Sequence, residues 1–345
     1  MRTAIFACGG TGGHVFPAVA VAETAMALDS SLNVIFAGRA APSMEEKLLS
    51  SKFNYRTIKA VPLKRNSIVQ NLLLPFNLLS SVFGAAGLLK KEKPEFIVAT
   101  GGYVALPVML AAIFRRIPFY AIEPNAVMGV ANRVCAKFAR KVYIASKTMG
   151  NPVRKMPENL PAPEFFADSK KFRILITGGS QGALGINKKI EQIAEQISAD
   201  ENISVVWQAG AKHADRLLEK HGEIKNIRIT AFLDNIYAYM QCADLIISRS
   251  GASTLAEILA FGKASVLLPY PYATANHQEH NARAVEREGA AFVELDSEAN
   301  ALWEKIKCLM NDRKKLGEMS EKAGELGELN RRAAKDIAED ICRAW

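Results

Sequence analysis

The sequence predicts an α/β fold made of two domains, each built around a parallel β-sheet. The chain has 345 residues, which is too long for one average domain and long enough for two hydrophobic cores. Short apolar runs alternate with helical patterns along both halves, as is typical of parallel sheets covered by helices on both faces. The two halves also echo each other, since AIFACGGTGG and RILITGGSQGA both read as a strand followed by a glycine-rich turn. Two Rossmann-like domains facing a cleft are therefore predicted.

Each half supplies about six predicted strands. In the first half they are TAIFAC, NVIFAG, YRTIKA, EFIVAT, IPFYAI and KVYIAS, and in the second half FRILIT, ISVVWQ, IRITAF, DLIISR, ASVLLP and AAFVEL. The segment KMPENLPAPEFFADSK contains three prolines and no periodicity, so it is predicted to be the linker. The predicted domains are residues 1–155 and 172–327, with the linker at 156–171. The tail at 297–343 is predicted to be helical, and its helix at about 328–345 could pack back onto the first domain.

Cysteine usage and charge limit the class of protein. The five cysteines occur without a C-x-x-C pair: Cys8, Cys135, Cys242, Cys308 and Cys342. This is typical of reduced thiols in a cytosolic protein, and Arg2 leads directly into the first predicted strand without a signal peptide, so we expect a cytoplasmic protein that is not exported.

Residues 1–155 hold 20 Lys and Arg against 7 Asp and Glu, a net charge of +13, whereas the remainder has 24 against 28, or −4. An anionic partner is expected for the first half, whether nucleic acid, a phosphorylated substrate or an acidic membrane.

Three strand-to-helix junctions are rich in glycine. They are Gly9-Gly10-Thr11-Gly12-Gly13, Gly101-Gly102-Tyr103 and Gly178-Gly179-Ser180-Gln181-Gly182. Helix N-termini present N–H groups and a partial positive charge, and glycine lets the backbone approach a phosphate closely. Neither the dinucleotide fingerprint G-x-G-x-x-G nor a P-loop occurs, which disfavours a dehydrogenase. The loops therefore predict phosphate sites, although any one of them could be only a tight turn.

His14 lies in the first turn after the first loop, where it is either a helix-start residue or a general base.

A second group of polar residues lies in SRSGASTLAEILAFGK and in the segment after the next strand. Arg249 could clamp a phosphate, and Glu257 could accept two hydrogen bonds from a ribose diol. The alternative is an Arg–Glu surface pair. Four side chains suited to sugar hydroxyls follow: Asn276, His277, Gln278 and Asn281. His277 and His280 lack an accompanying carboxylate set and the sequence contains no D-x-D, so neither a metal nor a cofactor is predicted.

An apolar segment with basic flanks spans residues 68–89, IVQNLLLPFNLLSSVFGAAGLL. Polar residues and a proline interrupt it, so it is not predicted to span a membrane. One helix face carries Leu72, Phe76, Leu79 and Phe83, and the flanking cations are Lys64, Arg65, Lys90 and Lys91, with Arg115 and Arg116 in the nearby IFRRI. The face could pack into the core, or it could dip into an anionic leaflet. The aromatic interleaving of nucleic-acid platforms is absent, so no nucleic acid is expected.

Seven motifs together resemble the MurG family of N-acetylglucosaminyltransferases. They are GGTGGHVFPAVAVAE, TGGYVALPV, NAVMGVANR, GNPVR, TGGSQGA, RSGASTLAEI and NHQEHNA, in the family's order, over residues 3 to about 290. The resemblance implies a GT-B fold and inverting transfer from UDP-N-acetylglucosamine to the C4 hydroxyl of the muramoyl sugar of Lipid I, which forms Lipid II. It also implies a reaction without a metal, peripheral attachment to the inner face of the cytoplasmic membrane, and cell-wall synthesis and division proteins as candidate partners.

The resemblance also implies roles for individual residues. His14, Asn125 and Glu257 would be the catalytic group, with His14 as the base. The acceptor diphosphate would lie on Thr11, Gly12, Gly13, Gly102 and Tyr103. The UDP-sugar would contact Arg154, Ser180, Gln181 and Gly182 at the diphosphate, Leu233 at the uracil, Glu257 at the ribose, Ala252, Ser253 and Thr254 at the phosphates, and Gln278 and Asn125 at the sugar. Arg249 and helix N-termini would stabilise the departing UDP.

The chain departs from the family at one functional place. It reads Ile122-Glu123-Pro124-Asn125 where the family usually has His-Glu-Gln-Asn. Two alternatives are a UDP-N-acetylglucosamine 2-epimerase and a nucleotide-sugar binding protein at the membrane without catalysis. The basic, apolar surface of the first half argues against the epimerase, which needs no membrane.

Overall fold

The computed structural model describes residues 2–9, 12–39, 49, 51–60, 74–125, 128–145, 150–157, 159–179, 181–273 and 276–344. Six residues with predicted roles lie outside this part of the chain: Gly10, Thr11, Lys64, Arg65, Leu72 and Ser180. The chain divides into two compact units, here called the first and second units. The first consists of Met1–Arg154 and Leu329–Trp345, and the second of Lys155–Glu328.

The first unit contains a parallel sheet with six strands among the described residues. The strands are β1 (Arg2–Ala7), β2 (Leu32–Arg39), β3 (Asn54–Ile58), β4 (Phe96–Ala99), β5 (Phe119–Glu123) and β6 (Lys141–Ile144), in the order β3-β2-β1-β4-β5-β6. The helices are α1 (Gly12–Leu28), α2 (Leu74–Glu92), α3 (Gly102–Arg115) and α4 (Val130–Cys135), and a 3-10 turn follows at Ala136–Phe138. The strand order reverses between β1 and β4. An open parallel sheet binds its ligand at the carboxyl edge of such a switch point.

Alternate residues of the central strand β1 face two separate apolar clusters. Phe6 lies in a cluster that includes Ile337 from the C-terminal part of the chain. Ile5 lies in the other cluster, with Leu89 of α2 and Val108 of α3. Successive side chains of a strand point to opposite faces, so both faces of this sheet are buried. The predicted parallel sheet with two covered faces is confirmed.

The second unit repeats this plan. Its strands are β7 (Phe172–Thr177), β8 (Ile203–Gln208), β9 (Ile227–Thr230), β10 (Leu245–Ser248), β11 (Ser265–Leu267) and β12 (Ala291–Val293), in the order β12-β11-β10-β7-β8-β9. Its helices are α5 (Leu184–Ser198), α6 (Ala214–His221), α7 (Ile236–Cys242), α8 (Ala252–Ala260), α9 (His277–Arg287) and α10 (Leu302–Asn311). Here the switch point lies between β10 and β7, so the glycine-rich turn after β7 and the α8 N-terminus come to neighbouring places at one edge.

The tail is helical, as predicted, and consists of α10 followed by α11 (Arg313–Arg343). The two helices are separated at Asp312, whose Oδ1 accepts a hydrogen bond from the Lys315 N–H at 2.9 Å and so caps the new helix. From Leu329 onward α11 belongs to the first unit. Near its end, Asp340 accepts hydrogen bonds of 2.6 Å from the Tyr143 hydroxyl and the Lys141 ammonium of β6.

The proline-rich segment predicted as the linker contains a 3-10 turn at Glu164–Phe166. Phe166 is 1% exposed and lies in a core cluster of the second unit. Its ring packs edge-on against Tyr239 at a centroid distance of 5.6 Å. This part of the segment is therefore packed onto the second unit.

Candidate active site

His14 and Thr100 connect the two sides of the switch point in the first unit. His14 lies in the first turn of α1, after β1, and Thr100 follows β4 directly. The His14 Nδ1 lies 2.7 Å from the Thr100 carbonyl oxygen, and the Thr100 hydroxyl donates to the His14 carbonyl at 2.7 Å. Because Thr100 is fully buried, this reciprocal pair fixes the imidazole against the sheet.

The contact with Thr100 also determines the tautomer of His14. A carbonyl oxygen only accepts hydrogen bonds, so Nδ1 carries the proton and Nε2 of the neutral ring is the nitrogen that can accept one. Gly102 lies against that side of the ring, since a Cβ there would be 3.5 Å from Nε2 and 3.3 Å from Cδ2. Its φ of +79° is unfavourable for any other residue. The β1–α1 and β4–α3 junctions thus meet at the basic nitrogen.

A cation that the sequence reasoning missed lies at the same edge. Arg39 ends β2, and its Nη1 donates to the Tyr103 hydroxyl at 3.3 Å. The hydroxyl of Tyr55 in turn donates to the Arg39 carbonyl at 3.2 Å. The signal in the sequence was an arginine directly after an apolar strand, the same arrangement as at Arg249. Arg39 therefore adds positive charge beside the residues predicted to hold the acceptor diphosphate.

Glu123 organises the loop that carries Asn125. It is 1% exposed, and its Oε1 accepts the backbone and side-chain N–H groups of Asn125, both at 3.0 Å. Its Oε2 accepts the Gly129 N–H at 2.8 Å and the Asn132 amide at 3.0 Å. The same Asn132 amide also donates to the Ile122 carbonyl at 3.1 Å. Glu123 and Asn132 were not among the predicted site residues, because their role depends on packing between β5 and α4.

Ile122, which stands where the family usually has histidine, is 1% exposed and belongs to the apolar core of the sheet. At this position the chain therefore has a core residue, whereas Glu123 and Asn125 of the family's pattern are present. Arg154, which was predicted at the donor diphosphate, has its guanidinium 4.4 Å from the Phe16 ring of α1. That contact lies in the first unit, whereas Gln181 and Gly182 lie in the second.

The glycine-rich turn after β7 is held tightly against the end of β8. The Gly179 carbonyl accepts hydrogen bonds from the Gly182 N–H at 3.0 Å and from the Gln208 amide at 2.8 Å. Gly182 has a φ of +71°, and a Cβ on it would collide with the Ala209 carbonyl. Glycine is therefore required at this position for the turn to approach β8. The turn leads into α5, as expected for a phosphate site at a helix N-terminus.

Arg249 is paired with Asp296 rather than with Glu257. Its Nη1 and Nη2 donate to the two carboxylate oxygens of Asp296 at 2.8 and 2.9 Å, and Nη1 also lies 2.9 Å from the carbonyls of Leu268 and Pro269. The alternative of an Arg–Glu surface pair is wrong, because Arg249 is only 9% exposed and Glu257 has a different partner. A Cβ on Gly185 would lie 2.6 Å from Arg249 Nη2, so the guanidinium lies under the first turn of α5.

Glu257 lies on α8, 8% exposed, and accepts a hydrogen bond from the Tyr237 hydroxyl at 2.6 Å. Leu233, predicted at the uracil, is equally buried in the segment before α7. α8 begins with the predicted residues Ala252, Ser253 and Thr254 after Gly251, which offers no capping side chain. Such a helix start is suited to an anion.

Hydrogen bonds connect the start of α9 to Ser250, which lies between β10 and α8. Ser250 Oγ donates to the Gln278 carbonyl at 2.7 Å, and the Asn281 amide donates to the Ser250 carbonyl at 3.2 Å. Gln278 Oε1 accepts the Tyr270 N–H at 3.0 Å. The Gln278 amide NH₂ is consequently the end available to donate to a sugar hydroxyl. Among the described residues, no group of three or more His, Cys, Asp or Glu side chains is arranged to hold a metal.

The apolar face of α2 is exposed. Phe76, Leu79 and Phe83 are 71%, 56% and 74% exposed, so the core-packing alternative is wrong for them. Phe114 at the end of α3 is 79% exposed beside Arg115 and Arg116. A further exposed row was not predicted from the sequence. It consists of Val130, Val134 and Phe138, on α4 and the following turn. In the part of the chain that the structure describes, no helix is long and apolar enough to cross a membrane.

Comparison with known proteins identifies the family. The model of the glycosyltransferase family 28 N-terminal domain matches residues 4–144, and that of the family's C-terminal domain matches residues 173–341. The UDP-N-acetylglucosamine--N-acetylmuramyl-(pentapeptide) pyrophosphoryl-undecaprenol N-acetylglucosamine transferase of Desulfitobacterium hafniense (strain Y51) is 33% identical, over 93% of this chain and 94% of that protein. This chain belongs to glycosyltransferase family 28. The protein of the same name from Coxiella burnetii (strain Dugway 5J108-111) is 34% identical over 95% of each chain.

Solved structures share the fold of this chain. The crystal structure of Acinetobacter baumannii MurG superposes with a TM-score of 0.76 and 27% identity, covering 99% of this chain and 100% of that one. The glycosyltransferase SnogD from Streptomyces nogalater shares the fold, with a TM-score of 0.69, 18% identity and 99% coverage of both chains. The predicted GT-B fold and the resemblance to MurG are confirmed.

Proposed function

We propose that this chain is the inverting N-acetylglucosaminyltransferase of peptidoglycan synthesis that converts Lipid I to Lipid II. It transfers N-acetylglucosamine from UDP-N-acetylglucosamine to the C4 hydroxyl of the muramoyl sugar. The observation that carries this proposal is the 33% identity, extending through both domains, to curated transferases of this activity. The arrangement of His14 at the switch point of the first unit supports it chemically.

In the proposed step, His14 Nε2 takes the proton from the acceptor C4 hydroxyl as that oxygen bonds to the anomeric carbon. The bond from this carbon to the β-phosphate oxygen breaks at the same time, and its electron pair leaves with UDP. Attack opposite the leaving group inverts the anomeric configuration. The hydrogen bond from Nδ1 to Thr100 keeps the required tautomer and stabilises the imidazolium that forms.

The acceptor diphosphate would bind at the carboxyl edge of the first sheet. The N-terminus of α1 with Thr11, Gly12 and Gly13, and that of α3 with Gly102 and Tyr103, would supply N–H donors. Arg39, held to Tyr103, adds a cation at that place. Asn125, fixed by Glu123, would contact the transferred sugar.

The UDP-sugar would bind at the corresponding edge of the second sheet. Its diphosphate would contact the Ser180, Gln181 and Gly182 turn and the Ala252, Ser253 and Thr254 helix start, with Arg154. Leu233 would contact the uracil, Glu257 the ribose and Gln278 the sugar. Arg249 would act from beneath α5, where its pairing with Asp296 fixes it before the reaction begins. No metal or cofactor enters this mechanism.

The protein would attach peripherally to the cytoplasmic side of the cell membrane. The exposed apolar side chains Phe76, Leu79 and Phe83 would enter an anionic leaflet, and Leu72 is predicted from the sequence to join them. Lys64, Arg65, Lys90, Lys91, Arg115 and Arg116 would contact lipid headgroups. Cell-wall synthesis and division proteins are candidate partners there.

The test is transfer of labelled N-acetylglucosamine from its UDP form to a short-prenyl Lipid I analogue, with and without EDTA. We expect a β-linked product and a rate that EDTA leaves unchanged. Epimerisation of the UDP-sugar without transfer would establish the 2-epimerase alternative instead. Tight UDP-sugar binding with neither reaction would establish the binding protein without catalysis.

A further inference from the structure

The buried side chain of Tyr237 contacts Glu257, the carboxylate that is proposed to bind the ribose. Tyr237 on α7 is 7% exposed and Glu257 on α8 is 8% exposed. The Tyr237 hydroxyl donates to Glu257 Oε1 at 2.6 Å, which is short for a hydrogen bond between two oxygens. The two residues lie on different helices, 20 positions apart, so only the tertiary structure brings them together.

We propose that Tyr237 is a positioning residue for recognition of the nucleotide ribose. Its hydroxyl holds the Glu257 carboxylate in the orientation that accepts both hydroxyls of the ribose diol. The inference rests on the proposed function, because it takes Glu257 as the ribose ligand. An ionised carboxylate has about four acceptor positions, so the bond from Tyr237 is compatible with two further bonds from a diol.

The physical basis is preorganisation. A glutamate side chain that moves between rotamers must lose that freedom when it binds a ligand, and the loss weakens binding. Tyr237 removes this freedom beforehand. Its own ring is fixed, since it packs edge-on against Phe261 at a centroid distance of 5.2 Å.

Tyr237 also lies close in sequence to Leu233, the residue that is proposed to contact the uracil. Leu233 lies four residues before Tyr237, in the segment that precedes α7, and both belong to the same apolar cluster. The segment at 233–237 would therefore contact the uracil with one side chain and fix the ribose ligand with another. Movement of α7 would alter both contacts together.

The experiment measures binding of UDP and of 2′-deoxy-UDP to the full chain by titration calorimetry. Tyr237→Phe keeps the ring and its contact with Phe261 and removes only the hydroxyl. We expect UDP affinity to fall about three- to tenfold, while 2′-deoxy-UDP affinity changes little, so the preference for the ribonucleotide shrinks. In turnover, the KM for UDP-N-acetylglucosamine should rise with kcat largely retained. Tyr239→Phe, on the same helix, is the matched control and should leave the preference unchanged.

A double-mutant cycle separates positioning from a structural role. In a Glu257→Gln background, Tyr237→Phe should cause no further loss of ribonucleotide preference. Equal weakening of both nucleotides, or lower thermal stability with an unchanged preference, would overturn the inference. A wild-type chain without any preference for UDP would overturn both the inference and the ribose role of Glu257. A wild-type chain with that preference but no transfer would contradict only the proposed reaction, and the effect of Tyr237→Phe would still decide the inference.

Discussion

At the scale of single residues, the site depends on side chains that other groups hold in place. His14 is fixed by Thr100, Asn125 by Glu123 and Arg249 by Asp296. In each case the sequence predicted the site residue but not the residue that holds it in place. The partners lie between 2 and 86 positions away along the chain, so no spacing rule could identify them.

His14→Ala should lower kcat for transfer by about 10²- to 10⁴-fold, the usual contribution of a general base. UDP-sugar affinity should stay unchanged, because His14 lies in the first unit and the donor residues lie mostly in the second. Steady-state kinetics and titration calorimetry together check this. His213→Ala, in the second unit, serves as the control. A His14→Ala enzyme with wild-type kcat would exclude His14 as the base.

A surface ion pair gives a prediction of pH dependence. Two hydrogen bonds of 2.9 and 2.7 Å from Arg216 reach Glu191, and they lower the pKa of its carboxyl from 4.5 to about 2. A pKa lowered by folding means that the pair stabilises the protein fully above about pH 4.5 and loses its effect as the pH falls toward 2.

Glu191→Gln should therefore lower the free energy of unfolding by about 0.5–1 kcal/mol at pH 7, since Arg216 is half exposed. The difference from wild type should shrink below pH 4.5. Urea unfolding of both proteins at several pH values measures it. Glu304→Gln, at a more exposed pair, should show a smaller difference, and a difference that grew on acidification would contradict the assignment.

At the scale of elements, the strand-to-helix junctions decide where ligands can bind. Each of the two sheets reverses its strand order once, and the glycine-rich turns after β1, β4 and β7 all lie at the carboxyl edge of a switch point. The sequence predicted these turns from their composition. It did not reveal that the first two meet around His14, because that depends on β1 and β4 being neighbours in the sheet.

Gly182→Ala tests one of these turns. The new Cβ would collide with the Ala209 carbonyl at a backbone φ of +71°, so the turn must move away from β8. We expect at least tenfold weaker UDP binding, measured by calorimetry, because a donor N–H displaced from a phosphate typically costs about 1.5–3 kcal/mol.

The matched control for this change is Gly317→Ala in α11, where a Cβ meets no atom within 4 Å. It should leave UDP binding unchanged and raise the free energy of unfolding by up to about 1 kcal/mol, because alanine is the better helix former. UDP affinity that survives Gly182→Ala intact would argue against a phosphate site at this turn.

At the scale of the whole molecule, charge and exposed apolar surface are concentrated in the first part of the chain. Residues 1–155 carry a net charge of +13 and the remainder −4. The exposed phenylalanines of α2 and α3 lie in the same part. This combination favours binding to an anionic lipid surface.

The triple change Phe76→Ser, Leu79→Ser and Phe83→Ser should reduce binding to phosphatidylglycerol vesicles by at least tenfold. Each of these side chains contributes about 1.5 kcal/mol or more to binding when it enters the apolar part of the bilayer. Vesicle co-sedimentation at low and high salt measures it, and salt should weaken wild-type binding. Leu218→Ser, at an exposed leucine of the second unit, is the control. Unchanged vesicle binding by the triple variant would exclude this face as the membrane surface.

The sequence by itself determined the two parallel-sheet domains, the glycine-rich turns, the basic first half and the family resemblance. These follow from local signals, because apolar strands, glycine turns and charge are properties of short segments. Only the tertiary structure decided that Arg249 pairs with Asp296 and Glu257 with Tyr237, and that Ile122 is a core residue. It also decided that the apolar face of α2 is exposed rather than buried. Helical periodicity shows that side chains share a face, but what covers that face depends on packing between distant segments of the chain.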